Sequence, residues 1–440
     1  MLLKISIILA AVSAVCLAGY VFLTKTKSKN QSVLLKRTVA ALALIAAIGA
    51  AVFAVIFCRA NHIKLFNRLK SYDPVATYTS SVTKDGVDNA FLYLPDSVFS
   101  YDGDFYFKNG KNDLFRLETS TTVGEDGSSF ESYSTKTVEN EVLYVGGCKT
   151  LKATITAQKA LKLDGYFKYS EYDGHKIEFK NKIVAENVEF CALTDNSLVY
   201  ITTAGDMFVQ GFNEYGQLGD TTAKNKDTAT LVNTDMSKCA VSDTHSMMVD
   251  KFGNLSAVGD NSYSQLGNKT AIPTNVPVPI MKGVKDVKTG NFYSVVLTVN
   301  GEVLTAGLNE KGQLGNSGEA FKAELVPILT GIQKIDVNGD TCAALSYTGD
   351  LYVWGDNTSY KAGFAGEAIL PTPVKLASNV YDFALSSDSV AMINNNRDVL
   401  KTSLNGGVAN ITPAITFNAQ IPGIYKENTE TATDTTTDAV

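Results

Sequence analysis

The sequence predicts an all-β fold of repeated units, preceded by two membrane-spanning helices. Three observations carry that prediction. A turn glycine recurs every 48 residues, at Gly205, Gly253, Gly301 and Gly349. Short runs of β-branched and aromatic residues alternate with turn residues from Val75 onward. Two uncharged apolar runs, Ile5 to Leu23 and Val39 to Cys58, stand near the start of the 440-residue chain.

The apolar runs come first in the chain. At a rise of ~1.5 Å per residue each makes a helix about 30 Å long, enough to cross a hydrocarbon core. No convincing small-x-small cleavage site precedes Tyr20, so the first run reads as a retained span rather than a signal peptide. The expected organisation is a first transmembrane helix within 1–23, a basic connector 24–38 and a second transmembrane helix 39–58. A juxtamembrane linker 59–74, a β domain 75–425 and a polar, disordered tail 426–440 follow. The connector carries Lys25, Lys27, Lys29, Lys36 and Arg37, against Arg59, Lys64, Arg68 and Lys70 beyond the second run. The positive-inside rule then puts the connector in the cytoplasm, making a multi-pass cell-membrane protein with an extracellular β domain.

The register of the repeat holds position by position. Six residues after each anchor stand Gly211, Gly259, Gly307 and Gly355; eight after stand Asn213, Asn261, Asn309 and Asn357. The triplet Gln-Leu-Gly ends at Gly219, Gly267 and Gly315, decaying to Lys361-Ala362-Gly363. A fixed period of 20 to 50 residues signals a repeat architecture. Glycine takes the positive φ that other residues resist, and an asparagine beside it satisfies turn backbone groups with its side chain.

This pattern resembles the repeats of the regulator of chromosome condensation (RCC1) family: a turn Gly, an apolar strand, Gly-x-Asn, then Gly-Gln-Leu-Gly. The resemblance is clear over roughly half the chain. It implies a seven-bladed β-propeller, with His245 as the family's turn histidine and Trp354 as its strand-end tryptophan, both structural. Gly103 and Gly165 read as degenerate anchors, and Arg397 falls in strict period, which brings the count to seven. The last repeat is short. Val82 to Asp102 is strand-like and is expected to close the ring by pairing with the last blade. The Ser/Thr-rich insertion Thr119 to Asn140 reads as a solvated excursion or long loop.

Charge and chemistry narrow the function. Residues 1–70 hold ten Lys or Arg and no acid, so the net −6 of the chain leaves −16 on 71–440. A domain so acidic is repelled by phosphate backbones, which excludes a nucleic-acid partner. No nucleophile triad, phosphate loop, metal-ligand spacing or paired-carboxylate motif is present, so neither an enzyme nor a cofactor is expected. Cys191 and Cys239 occupy one apolar strand slot, and Cys342 fills a serine slot. The expected function is a membrane-anchored protein–protein interaction module. The alternatives are an inhibitor of a secreted enzyme, as the resemblance to a β-lactamase-inhibitor propeller implies, and an exchange-factor-like regulator of guanine-nucleotide-binding proteins. The segments after Gln-Leu-Gly vary most between repeats, and a rigid scaffold with variable loops on one face suits recognition. Their residues Asp220, Lys224, Lys226, Asn268, Lys269, Asn316, Lys322 and Glu367 are the partner-binding candidates.

Overall fold

The computed structural model describes residues 94–123, 129–168, 176–318, 320–402 and 406–412. All lie in the unit Ser81–Val440. Both apolar runs and the tail fall outside the described residues. Among the described residues no helix is long and apolar enough to cross a membrane.

The described chain forms seven four-stranded antiparallel sheets, each built from four consecutive strands. We number them as blades: 1 (95–139), 2 (142–185), 3 (188–233), 4 (236–281), 5 (284–329), 6 (332–377) and 7 (380–410). Each junction between consecutive blades holds one buried apolar cluster. Leu218 and Val209 of blade 3 meet Met236, Cys239 and Met248 of blade 4, for example. A seventh cluster joins Val98, Phe105 and Phe107 of blade 1 to Ala391, Ile393 and Val399 of blade 7, so the sheets form a closed ring. Because both faces of a blade are covered, its second strand is buried nearly throughout rather than on alternate residues. Tyr293–Thr298 is buried at every residue.

Closure differs from the sequence expectation. The strand β1 (Pro95–Tyr101) pairs with β2 (Asp104–Asn109) in blade 1, not with the last blade, and residues 82–93 lie outside the described residues. Blade 7 supplies four strands of its own, the outermost only Val408–Asn410. Apolar packing closes the ring, helped by Val98 N donating to Asp382 Oδ2 at 3.0 Å.

The insertion is also a correction. Residues 119–123 and 129–139 are not a loop: they belong to two long paired strands, β3 (Leu114–Val123) and β4 (Ser129–Glu139), in register from Leu114↔Glu139 to Val123↔Ser129. β2 pairs with β3 only as far as Arg116, so the pair projects beyond its blade. Glu131 ion-pairs with Lys401 of blade 7 at 3.6 Å, where both side chains are largely shielded. Polar Ser and Thr on both sides hide this pairing from the sequence pattern.

The tight turn between the second and third strands recurs in all seven blades. Its left-handed residue is Asn112, Lys159, Gly205, Gly253, Gly301, Gly349 and Arg397. Arg397 matches the strict period. Gly103 and Gly165 do not hold this slot: Gly103 turns between β1 and β2, while Gly165 pairs with Leu151 as Gly211 pairs with Ser197. The carbonyl of each left-handed residue from Asn112 to Gly349 accepts from the first strand of the next blade, as in Val284 N→Gly253 O at 3.0 Å.

Candidate interaction face

Strand direction sorts the loops. In each blade the 1–2 and 3–4 connections fall at one end, and the 2–3 turns and blade-to-blade connections at the other. The variable segments of blades 3 to 6 therefore gather on the first face.

Each of these 3–4 loops is built around its buried asparagine. Asn213 Oδ1 accepts from Leu218 N at 2.8 Å, and its Nδ2 donates to Asp220 Oδ1 at 2.8 Å and to the Thr222 and Lys224 carbonyls. Asn261 repeats this with Leu266 N, Asn268 Oδ1 and the Thr270 and Ile272 carbonyls. Asn309 accepts from Leu314 N and donates to Asn316 Oδ1, and Asn357 accepts from Ala362 N. A buried amide with all these partners stiffens the loop, because each lost bond would leave an unsatisfied polar group. Gln-Leu-Gly then fastens the loop to the next blade. Gln217 Nε2 donates to Asp243 O at 3.0 Å, and the Gln313 carbonyl accepts from Trp354 Nε1 at 2.9 Å. Trp354 is fully buried, the packing role expected of it.

The strand-end glycines are required by space. Gly307 has φ +108, and a Cβ there would lie 2.7 Å from Tyr293 Cα and closer still to the Phe292 carbonyl. Gly355, at φ +94, meets the Asp340 carbonyl in the same way. The third strand thus passes directly over the start of the second, and Leu308 N donates to Phe292 O at 2.9 Å.

His245 sits under this crossing in blade 4, fully buried. Its Nε2 is 2.8 Å from Ser294 Oγ of blade 5, and its Nδ1 is 3.0 Å from Ser242 Oγ. Burial pushes its pKa down to about 4, against the upward pull of Asp260. The next blade uses Tyr293 instead, whose hydroxyl donates to Gly339 O at 2.9 Å. These contacts stitch blades together, as the structural role expected for His245 requires.

The partner-binding candidates divide in two. Asp220, Asn268 and Asn316 turn inward onto their loop asparagines. Burial would raise the Asp220 pKa, but bonds from Lys226 and Thr222 hold it below the usual carboxylate range. Lys226 is thereby committed to Asp220, and Lys322 is half-buried in the outer strand of blade 5. Lys224, Lys269 and Glu367 are exposed, with Lys269 3.1 Å from Glu324. Sequence reading misses the aromatics here: Tyr215, Tyr263 and Tyr360 are exposed in three of the four loops, and Tyr263 packs on Phe292 at 5.1 Å between ring centroids. Tyr215 and Tyr263 both stand two residues after the loop asparagine, a signal available in the sequence.

Among the described residues no group of His, Cys, Asp or Glu could hold a metal ion, and Cys148, Cys191, Cys239 and Cys342 are free thiols. Burial pushes the Cys191 and Cys239 thiols up to about 12, which makes them inert apolar packing.

The fold and loops define a seven-bladed β-propeller built on Gly-x-Asn and Gln-Leu-Gly repeats. Residues 284–313 match the family model described as "Regulator of chromosome condensation (RCC1) repeat", so this stretch is similar to one such repeat. Similar solved structures are RCC1-type propellers. Human WBSCR16 is 18% identical with a TM-score of 0.54, covering 68% of this chain and 86% of that one. Yeast RCC1 (Prp20), solved bound to Kap60, is 13% identical with a TM-score of 0.55, covering 66% and 78%. Prp20p from Saccharomyces cerevisiae, studied for its binding to Gsp1p and histones, is 13% identical with a TM-score of 0.57, covering 67% and 81%. At these identities the likeness shows the fold alone. No curated protein matches the chain by sequence.

Proposed function

We propose that the protein is a membrane-anchored interaction module, and that the 3–4 loop face of its propeller binds a protein partner outside the cell. One observation carries this reading. Four adjacent loops share an asparagine-locked backbone yet differ in the residues they expose, Tyr215, Lys224, Tyr263, Lys269, Tyr360 and Glu367 among them. Rigid loops with exposed tyrosines lose little conformational freedom on binding, which favours recognition. Kap60, Gsp1p and histones, the proteins bound by yeast RCC1, support protein binding by a propeller of this kind. The net −16 on 71–440 favours a partner of opposite charge, drawn in at low salt. Anchoring rests on the two apolar runs, and the outward orientation on the basic connector. Binding rather than catalysis fits the inventory of this face, where Asp220, Asn268 and Asn316 are committed to the loops themselves and the exposed groups are tyrosines, lysines and a glutamate.

The test uses the full chain in cells. Protease added to intact cells should degrade the propeller, and proximity labelling from its C-terminus should yield a neighbour. Replacing Tyr215, Tyr263 and Tyr360 together by Ser should abolish capture of that neighbour while leaving the melting temperature within a few degrees. Unchanged capture by a folded triple variant would remove this face from consideration.

A further inference from the structure

The opposite face, made of the 2–3 turns and the blade-to-blade connections, is divided into two arcs. On blades 4 to 7 it exposes large apolar groups: Phe252 at 78%, Val299 at 57%, Tyr347 at 51% and Tyr381 at 44%. The first three sit in the 2–3 turns of blades 4 to 6 and Tyr381 at the start of the first strand of blade 7; in the 2–3 turns of blades 1 to 3 stand Gly110, Lys111, Asn112, Ala157, Gln158, Lys159, Thr203, Ala204 and Gly205. Basic groups accompany the apolar arc. Lys251 precedes Phe252 and is bound to Asp235 at 2.9 Å, Lys282 is exposed in the connection to blade 5, Lys285 lies 5.6 Å from the Tyr347 ring, and Arg397 stacks on Tyr381 at 3.9 Å. Glu302 is its exposed acid, while Asp350 is paired with Lys375 at 2.9 Å. A groove of about 680 Å³ opens beside Tyr347, lined by Pro327, Ile328, Leu329 and Tyr352. Over blades 1 to 3 this end instead exposes Glu141, Glu186, Glu189 and Asp235, of which Glu189 lies 2.7 Å from Lys159 and Asp235 2.9 Å from Lys251.

We infer that the arc of blades 4 to 7 rests on the lipid surface, with Phe252, Val299 and Tyr347 in the headgroup region and the acidic arc tilted away. Three observations select lipid as the occupant. The described chain begins at Leu94 and enters β1 at Pro95, on this same face, since Pro95 pairs with Asn109 at the 2–3 turn. The sequence before it contains both apolar runs. Aromatic and apolar groups among lysines suit an anionic bilayer interface, and exposed carboxylates do not. A tether by itself does not fix the orientation of what it holds. A tether does raise the effective concentration of the surface it is tied to, so a contact too weak to recruit a free protein is enough to orient an anchored one. The inference rests on the anchored reading above. It also explains how the 3–4 loop face would point outward: the two faces are opposite ends of the same blades.

The experiment uses the full chain inserted in vesicles of phosphatidylcholine and phosphatidylglycerol. Single variants Phe252→Trp, Val299→Trp, Gln158→Trp and Tyr215→Trp are compared with the parent, whose one tryptophan, Trp354, is buried. Lipids brominated high on their chains should quench most of the added emission of Phe252→Trp and Val299→Trp. They should leave that of Gln158→Trp, on the acidic arc, and Tyr215→Trp, on the far face, unchanged. Flotation on a density gradient reports insertion independently. A chain that floats with no quenching at Phe252 and Val299 overturns the lipid assignment and makes the arc a protein-binding surface. Equal quenching at all four positions overturns it too, because the propeller then has no preferred side. A chain that fails to float overturns the anchored reading itself, and the inference with it.

Discussion

Two left-handed slots lie six residues apart in blades 2 to 6, and they obey different rules. The 2–3 turn slot accepts Asn112, Lys159 and Arg397 at φ +64, +63 and +67 as readily as glycine elsewhere. The strand-end slot is glycine in five consecutive blades, at Gly165, Gly211, Gly259, Gly307 and Gly355. Positive φ is common to both, but from Gly165 to Gly355 it runs from +94 to +123, beyond the +49 to +67 of the non-glycine residues, and space tightens the demand further. At Gly349 the nearest atom to an added Cβ is 3.2 Å away, whereas at Gly307 the Tyr293 backbone lies at 2.7 Å with the Phe292 carbonyl closer. A side chain in the first slot costs only the left-handed conformation, about 1–2 kcal/mol. In the second it would push the third strand off the second.

The comparison can be broken most directly at Gly307. Gly307→Asn should destabilise by about 3 kcal/mol or more, since strain and the loss of a buried crossing add. A denaturant midpoint shifted by less than half that would mean the strands slide freely. The pH dependence comes next, because His245 lies beneath the crossing at Gly259, its Cα 2.6 Å from where a Cβ would stand. An unfolded imidazole ionises near pH 6.5, but the folded one only near pH 4. The unfolded state therefore takes up the proton first as pH falls. Stability from this group is complete above about pH 6.5 and is lost as pH drops toward 4, by roughly 2–3 kcal/mol. Replacing His245 with Gln should flatten that part of the stability–pH curve, and an identical slope in the variant would assign the titration elsewhere. Ser294 and Ser246 sharpen the point at smaller amplitude. Ser294 Oγ meets His245, whereas Ser246 Oγ is buried without a partner, because Ser197 stands where a histidine would have to reach it. Ser294→Ala should cost about 1–2 kcal/mol and Ser246→Ala nothing measurable by thermal melting. Among the glycines the effect is small at the tolerant slot: Gly349→Asn should cost about 1 kcal/mol at most. A loss as large as at Gly307 would erase the distinction between the slots.

Blades 3 to 6 are legible in the sequence because both glycine slots keep the period there, and Gln-Leu-Gly keeps it in blades 3 to 5. Blades 1 and 2 are not, since Gly103 and Gly165 look like anchors only when glycine is taken as the mark of the turn. A better mark is the residue that ends the second strand: Asn109, Thr156, Thr202, Asp250, Thr298, Ser346 and Asn394. In every blade its side-chain oxygen accepts from the amide four residues on, as in Asn254 N→Asp250 Oδ1 at 2.9 Å and Ala160 N→Thr156 Oγ1 at 3.2 Å. That requirement is chemical rather than conformational, so it survives where glycine does not. Ring closure is not legible, because an apolar junction between distant segments leaves no periodic trace. On the candidate face, Asp220, Asn268 and Asn316 read as surface residues although each stands seven residues after a loop asparagine. That fixed spacing marks them as members of the asparagine's hydrogen-bond set.

The closing junction has a consequence for synthesis. Every blade is one contiguous stretch of chain, so six junctions can form in order as the polypeptide emerges. The seventh waits for blade 7: Val98, Phe105 and Phe107 stay uncovered until Ala391, Ile393 and Val399 have left the ribosome. For most of its translation the nascent propeller is thus an open crescent with an apolar wall at its first-made end. Such a wall is a natural target for chaperone capture and for mispairing between neighbouring nascent chains. The projecting strand pair of blade 1, tied to Lys401 through Glu131, is anchored at that same late seam.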